Sequence, residues 1–290
     1  MLYDHLDENR RFAMDMSDQE RMHFIRRNVV IDTEHLMNVQ TIAFNMINIT
    51  RGSMEAPCLV VTASSNYGKS TICDAIRGQN QEWCKKIRYV TFVKDTKAGR
   101  ARPRPLEKLM GAFGLEPGKY GIDINLITEY CLTNDIRAVF MDEFQDSILQ
   151  LSNQEQLAFL STLRGMTGPP LYMSFFVFGV AEALNALQFD DQYIRRFEKY
   201  TVSPWQADDS EFLNFLETWE SLMPLAQPSG LTSRELSSLI HKATHGVVGN
   251  MCDLLKAAAA YGISSGTEKI TVETIRLAQL SKWLQPPATK

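Results

Sequence analysis

The 290-residue chain reads as an α/β protein: a parallel sheet flanked by helices, followed by an all-helical C-terminal domain. Three observations predict this. Short apolar or β-branched runs alternate with helical patterns as far as Val202, which is the signature of parallel strands covered on both faces. Strand signals stop from Asp208 onward. The first strand runs into a Gly68-Lys69-Ser70 turn that opens a helix.

The elements follow in order. Asp18-Gln-Glu20 opens a helical stretch through Arg27, and Thr33-Glu-His35 opens another carrying Leu36, Ile42, Ala43, Met46 and Ile47 at helical spacing. Arg51-Gly-Ser breaks the pattern. Cys58–Thr62 is a buried strand and Ser70–Arg77 a helix. Ile87–Val93, β-branched and aromatic, is the second strand. Pro105–Phe113, with proline in the first turn, and Ile122–Leu132 are helices. Arg137–Met141 is the third strand, Asn153 caps a helix through Arg164, and Tyr172–Phe178 is the fourth strand. Glu182–Leu187 is helical and Glu198–Val202 the fifth strand. Helices then follow at Asp209–Ser221, Thr232–Thr244, Val248–Ser264 and Val272–Trp283. The expected organisation is a helical segment over 1–50, an α/β core over 51–206 and a helical domain over 207–290, with a frayed tail from Pro286.

Composition narrows the class. With 44% apolar and 22% charged residues the chain can bury a core. Thirty Lys and Arg against 34 Asp and Glu give a net charge of −4, which excludes a globally basic protein but not a local basic patch. No apolar run approaches the ~18 residues that cross a bilayer, and Met1–Arg11 is polar and acidic, unlike a signal peptide. The five cysteines are scattered, odd in number and without a CxxC pair, which fits a reducing compartment rather than a disulfide framework or a four-cysteine zinc site. The expectation is a soluble cytoplasmic protein with no membrane partner.

Ala63-Ser64-Ser65-Asn66-Tyr67-Gly68-Lys69-Ser70-Thr71 lies between a strand and a helix. Such a loop wraps phosphates with backbone N–H groups, its lysine reaches the β- and γ-phosphates, and its serine hydroxyl binds Mg²⁺. The helix beginning near Ser70 turns its positive end toward the anion. The first position is Ala63 where the pattern has glycine, so either the backbone there is ordinary or the loop is altered.

Ala138-Val-Phe-Met-Asp142-Glu143 is an apolar strand ending in two carboxylates. Successive strand residues face opposite ways, so the two acids have different roles. Asp142 suits Mg²⁺ and Glu143 suits polarising a water for attack on a γ-phosphate. Arg195-Arg196 follows the fourth strand. By sequence alone it is equally a surface pair or a cation that completes a neighbour's site. Lys94, Lys97, Arg100, Arg102 and Arg104, with the single acid Asp95, concentrate a charge of +4 in one loop broken by Gly99 and Pro103. Such a loop suits salt-sensitive, sequence-independent contact with a phosphate backbone. His241 and His245 stand four residues apart on a helix, but no third ligand accompanies them and zinc is not expected.

Taken in order, these pieces resemble the TniB/TnsC group of AAA+ ATPases, which accompany DDE transposases. The resemblance runs over about residues 18–280. It is carried by Glu20-Arg21, Ser65–Ser70, Val139–Glu143, Phe178-Gly179-Val180, Asp191-Gln192, Arg196-Phe197-Glu198, Pro204-Trp205, Gly246-Val-Val-Gly249 and the Ala257–Ala260 helix. It implies an AAA+ P-loop NTPase core with a C-terminal helical lid that binds ATP and Mg²⁺ and hydrolyses ATP. It implies assembly with copies of itself on double-stranded DNA as a ring or filament. Its other implied partners are a transposase and a TniQ-like target-selection protein. Within it Arg196 matches the arginine finger better than Arg195, and Lys94–Arg104 falls where the family touches DNA. Ala63, Val180 and Asn250 depart from the family pattern and predict slow hydrolysis. A helicase loader of the IstB/DnaC type shares the same core, and a small-molecule P-loop kinase shares the phosphate loop.

Overall fold

The computed structural model describes residues 3–27, 29–49, 55–92, 105–116, 123–149, 151–181, 187 and 191–283. The basic loop with Lys94, Lys97, Arg100, Arg102 and Arg104, most of the expected helix at Glu182–Leu187, and the tail from Pro286 lie outside the described residues. The chain divides into two compact units, His35–Val202 and Met1–Glu34 with Ser203–Lys290.

Among the described residues the first unit holds five strands in one all-parallel sheet: β1 (Cys58–Thr62), β2 (Ile87–Thr91), β3 (Ala138–Asp142), β4 (Ser174–Gly179) and β5 (Phe197–Thr201), in the order β2-β3-β4-β1-β5. The alternation of side chains accounts for its two cores. Leu59, Val61, Ala138, Phe140, Phe176 and Phe178 face α2 (Glu34–Ile49) and α3 (Lys69–Arg77) through Val39, Ala43, Ile47, Ile72 and Ile76. Cys58, Val60, Val139, Met141, Phe175 and Val177 face α4 (Pro105–Ala112), α5 (Ile124–Thr133) and α7 (Asn153–Thr167) through Leu109, Ile127, Phe159 and Leu163. Both faces are buried, so β1, β3 and β4 are buried along their whole length and mostly apolar rather than alternating. Two short helices complete the unit, α6 (Phe144–Ile148) and α8 (Asp191–Ile194). The cap of α7 is Ser152, not Asn153. Its hydroxyl takes the Glu155 N–H while Glu155 accepts the Ser152 N–H at 2.9 Å, a reciprocal cap that Asn153 cannot form from inside the first turn.

The second unit is helical: α1 (Asp18–Arg26), α9 (Ser210–Leu222), α10 (Arg234–Thr244), α11 (Val248–Ser264) and α12 (Val272–Leu280), preceded by a 3₁₀ stretch at Glu8–Asp15. Phe212, Phe215, Trp219, Ile240, Met251, Leu255 and Ile275 fill its core together with Ile25 from α1. The residues expected as one segment over 1–50 are thus shared between units. α1 is held by Arg21, a buried guanidinium forked onto Glu268 at 2.6 and 2.7 Å. No described helix is long and apolar enough to cross a membrane.

Candidate functional site

In an open parallel sheet, ligands bind beyond the carboxyl ends of the strands, where loops leave for the helices. The expected phosphate loop, the acidic pair and the turn after β4 all lie there. β1 ends at Thr62, and Ala63 donates its N–H to the Gly179 carbonyl at the end of β4 at 3.2 Å. Ala63 does not adopt a positive φ. An alanine therefore fits where the pattern has glycine, and the left-handed positions fall instead on Asn66 (φ 68°) and on Gly68 (φ 86°), which opens α3. Ser64, Ser65, Asn66, Ser70 and Thr71 are exposed, and Tyr67 packs partly against the α2–α3 core.

Lys69 is the first residue of α3 and is buried. Its Nζ donates to the carbonyls of Ala63 and Ser64, both at 2.8 Å. Burial pushes the ammonium pKa down, while the nearby carboxylates of Glu143 and Asp142 act the other way; the net shift is downward. The lysine thus curls over its own loop, in the electrostatic reach of both strand-end acids.

Asp142 ends β3, is buried, and accepts the backbone N–H of Glu143 on Oδ1 at 2.9 Å. Glu143 takes φ 53° at the start of α6, a strained setting for a residue with a Cβ. β3 ends at Asp142, so Glu143 belongs to the turn that follows the strand and not to the strand itself. The fit to Mg²⁺ can be judged from the donors. Mg²⁺ is held by one or two carboxylates or hydroxyls plus substrate phosphate and water, not by an all-protein cage. An exposed Ser70 hydroxyl and a strand-end Asp142 carboxylate suit it, and no cluster of three or more His, Cys, Asp or Glu occurs among the described residues.

One residue that sequence reasoning missed is Gln145. Its side chain is buried, its Nε2 donates to Glu143 Oε2 at 2.5 Å, and its Oε1 accepts the Val180 N–H at 3.4 Å. The available signal was its position two residues past Glu143, in the mixed stretch Phe144-Gln-Asp-Ser-Ile148.

The arginine pair is divided. Arg196 is turned inward: its guanidinium donates to the Arg164 carbonyl at 2.9 Å, to the Thr167 hydroxyl and to the Glu55 carboxylate. Arg195 is exposed. A role for Arg196 in a neighbour's site would require it to leave these three partners. In the helical unit His241 Nε2 lies 3.0 Å from the Trp205 carbonyl, and His245 ends α10 in a left-handed turn.

Residues 124–207 match the family model described as the bacterial TniB protein. That segment contains Asp142, Glu143, Gln145 and Arg196. No curated protein matches the chain. Among solved structures, the Aeropyrum pernix ORC2 protein in its ADPNP-ADP complexes shares 14% identity at a TM-score of 0.62, covering 90% of this chain and 71% of that one. The Aeropyrum pernix ORC1 protein in complex with DNA shares 11% at 0.57, covering 89% and 68%. Cdc6p from Pyrobaculum aerophilum shares 14% at 0.56, covering 91% and 70%. At such identities it is the fold that is shared: the parallel sheet with flanking helices and a helical C-terminal part. The chain thus shares its fold with these ORC and Cdc6 proteins, and its residues 124–207 match the bacterial TniB model.

Proposed function

We propose that this chain is an ATP-dependent, DNA-binding regulator of transposition. Copies of it assemble on duplex DNA when ATP is bound, mark a target and recruit a transposase. The observation that carries the reading is the meeting, at the carboxyl ends of β1, β3 and β4, of a phosphate loop with left-handed Asn66 and Gly68, the buried Lys69, and Asp142 beside Glu143. It occurs in a chain whose segment 124–207 matches the TniB model.

In this reading the loop N–H groups from Ala63 to Thr71 cradle the phosphates. Lys69 leaves its two loop carbonyls for the β- and γ-phosphates, where its charge is better compensated. Ser70 and Asp142 would hold Mg²⁺, which would supply charge neutralisation at the phosphates. Glu143 accepts the proton of a water whose oxygen attacks the γ-phosphorus as the bond to the bridging oxygen breaks, giving ADP and phosphate. Hydrolysis is slow and loosens the assembly. The helical residues from 207 act as a lid. Lys94, Lys97, Arg100, Arg102 and Arg104 track the DNA backbone with little sequence preference, and repetition along one duplex multiplies weak contacts. Arg195 or Arg196 completes the site of the adjacent copy, and Arg195 needs no contact broken to do so. A TniQ-like protein supplies target choice in the cytoplasm.

Phosphate release measured with and without duplex DNA tests the reading. DNA-stimulated release that Lys69→Ala and Glu143→Gln abolish is expected, with Glu143→Gln retained on DNA in the presence of ATP. Nucleotide-independent DNA binding, unchanged in both variants, overturns it. Co-purification with a replicative helicase in place of a transposase would assign the assembly to helicase loading.

A further inference from the structure

A buried amide is costly unless both of its ends are bonded. Gln145 meets this condition in only one orientation. On one side is the Glu143 carboxylate, which only accepts; on the other is the Val180 N–H, which only donates. The amide must therefore present Nε2 to Glu143 and Oε1 to Val180.

The consequences reach past the local turn. Val180 follows Gly179, whose carbonyl takes the N–H of Ala63, the first residue of the phosphate loop. Glu143 is held at its backbone by Asp142 and at its side chain by Gln145. Among the described residues a hydrogen-bonded path thus runs from the phosphate loop through the end of β4 to the Glu143 carboxylate, with Gln145 as its side-chain link.

We propose that Gln145 is a positioning residue for ATP hydrolysis, fixing the Glu143 carboxylate relative to the phosphate loop. The proposal rests on the ATPase reading above. One oxygen of the carboxylate takes the amide N–H, and the other is left to receive a proton from water. A glutamate on a strained left-handed residue would otherwise sample several rotamers, and misplacement of a reacting group by about 1 Å can cost on the order of 100-fold in rate.

The test uses the full chain with ATP and duplex DNA. Gln145→Leu keeps the bulk and removes both bonds. Gln145→Glu keeps an acceptor for Val180 but sets a second carboxylate against Glu143. Both are expected to lower kcat about 10- to 100-fold, with KM for ATP and nucleotide affinity within about two-fold of the unaltered protein. An unchanged kcat in Gln145→Leu overturns the proposal. So does a loss shared equally by kcat, nucleotide affinity and melting temperature. Failure of the underlying reading looks different: the unaltered protein then releases no phosphate, or Lys69→Ala releases as much, and the proposal falls with it.

Discussion

The backbones of Trp205 and Gly246 are in direct contact. The Trp205 N–H donates to the Gly246 carbonyl at 3.1 Å, and a Cβ on Gly246 would lie 2.0 Å from the Trp205 carbonyl oxygen. Gly246 also takes φ 69°. Two motif pieces separated by some 40 residues in sequence, Pro204-Trp205 and Gly246-Val-Val-Gly249, are therefore one packed joint in the helical unit, and His241 closes it on the same carbonyl.

Gly246→Ala meets both backbone strain and that overlap. A loss of about 3 kcal/mol or more is expected in denaturant unfolding. Gly230 is the comparison: its φ is 67° but nothing lies near its Cβ position, so Gly230→Ala meets strain alone, about 1–2 kcal/mol. Equal losses at the two positions would contradict the close approach.

The arginine pair separates stability from assembly. Arg196→Ala removes three hydrogen bonds, one of them to the buried Thr167, so a loss of about 1–3 kcal/mol is expected. Arg195→Ala, at an exposed position, should shift stability by less than about 0.5 kcal/mol. If Arg195 reaches the neighbouring site, its loss lowers DNA-stimulated phosphate release without lowering the melting temperature.

Lys69 links stability to pH. Its pKa is lowered in the folded chain, chiefly by burial, so the unfolded chain binds the proton more tightly. The penalty of carrying the charge is complete below the folded pKa. It fades as pH rises toward the ordinary lysine value of about 10.4. Between the two values stability rises with pH on account of this group. Denaturant unfolding of the nucleotide-free protein on the alkaline side should show that contribution, and Lys69→Met should lack it.

The cysteines should be inert. Burial pushes Cys58 and Cys131 up to about 12 and Cys252 up to about 11, and raises Cys73 and Cys84. A thiol reagent at neutral pH should label the folded chain far more slowly than the unfolded one. Rapid labelling of the folded chain would contradict the packing of both sheet faces.

The basic loop has a salt signature. Each of Lys94, Lys97, Arg100, Arg102 and Arg104 that touches a phosphate contributes about 0.9 to the slope of log affinity against log salt. Replacing all five with alanine should flatten the slope and weaken binding similarly on unrelated duplexes. An unchanged slope would remove the loop from the DNA interface.

Much of this was readable because the signals are local. β1, β3 and β4 are runs of buried apolar residues, and both the Gly-Lys-Ser turn and Asp142-Glu143 stand at strand ends where chemistry is expected. The Ser152-x-x-Glu155 cap was also present in the sequence but lay one residue before the choice of Asn153. Other features depend on distant partners. Nothing local to α1 announces that Arg21 will pair with Glu268, 247 residues away, and so carry α1 into the helical unit. The inward turn of Arg196 depends on Glu55, Arg164 and Thr167, all remote in sequence. The five residues of α6 are too few for a periodic pattern, so nothing local marks Gln145 as a buried helical residue.

The central claim is that a nucleotide gripped by Lys69, Ser70 and Asp142 joins copies of this chain around duplex DNA. Sedimentation velocity with a duplex and a non-hydrolysable ATP analogue tests it most directly. The account predicts a multimer on DNA that forms only with nucleotide and is lost in Lys69→Ala. A species that stays monomeric with both ligands saturating would contradict it.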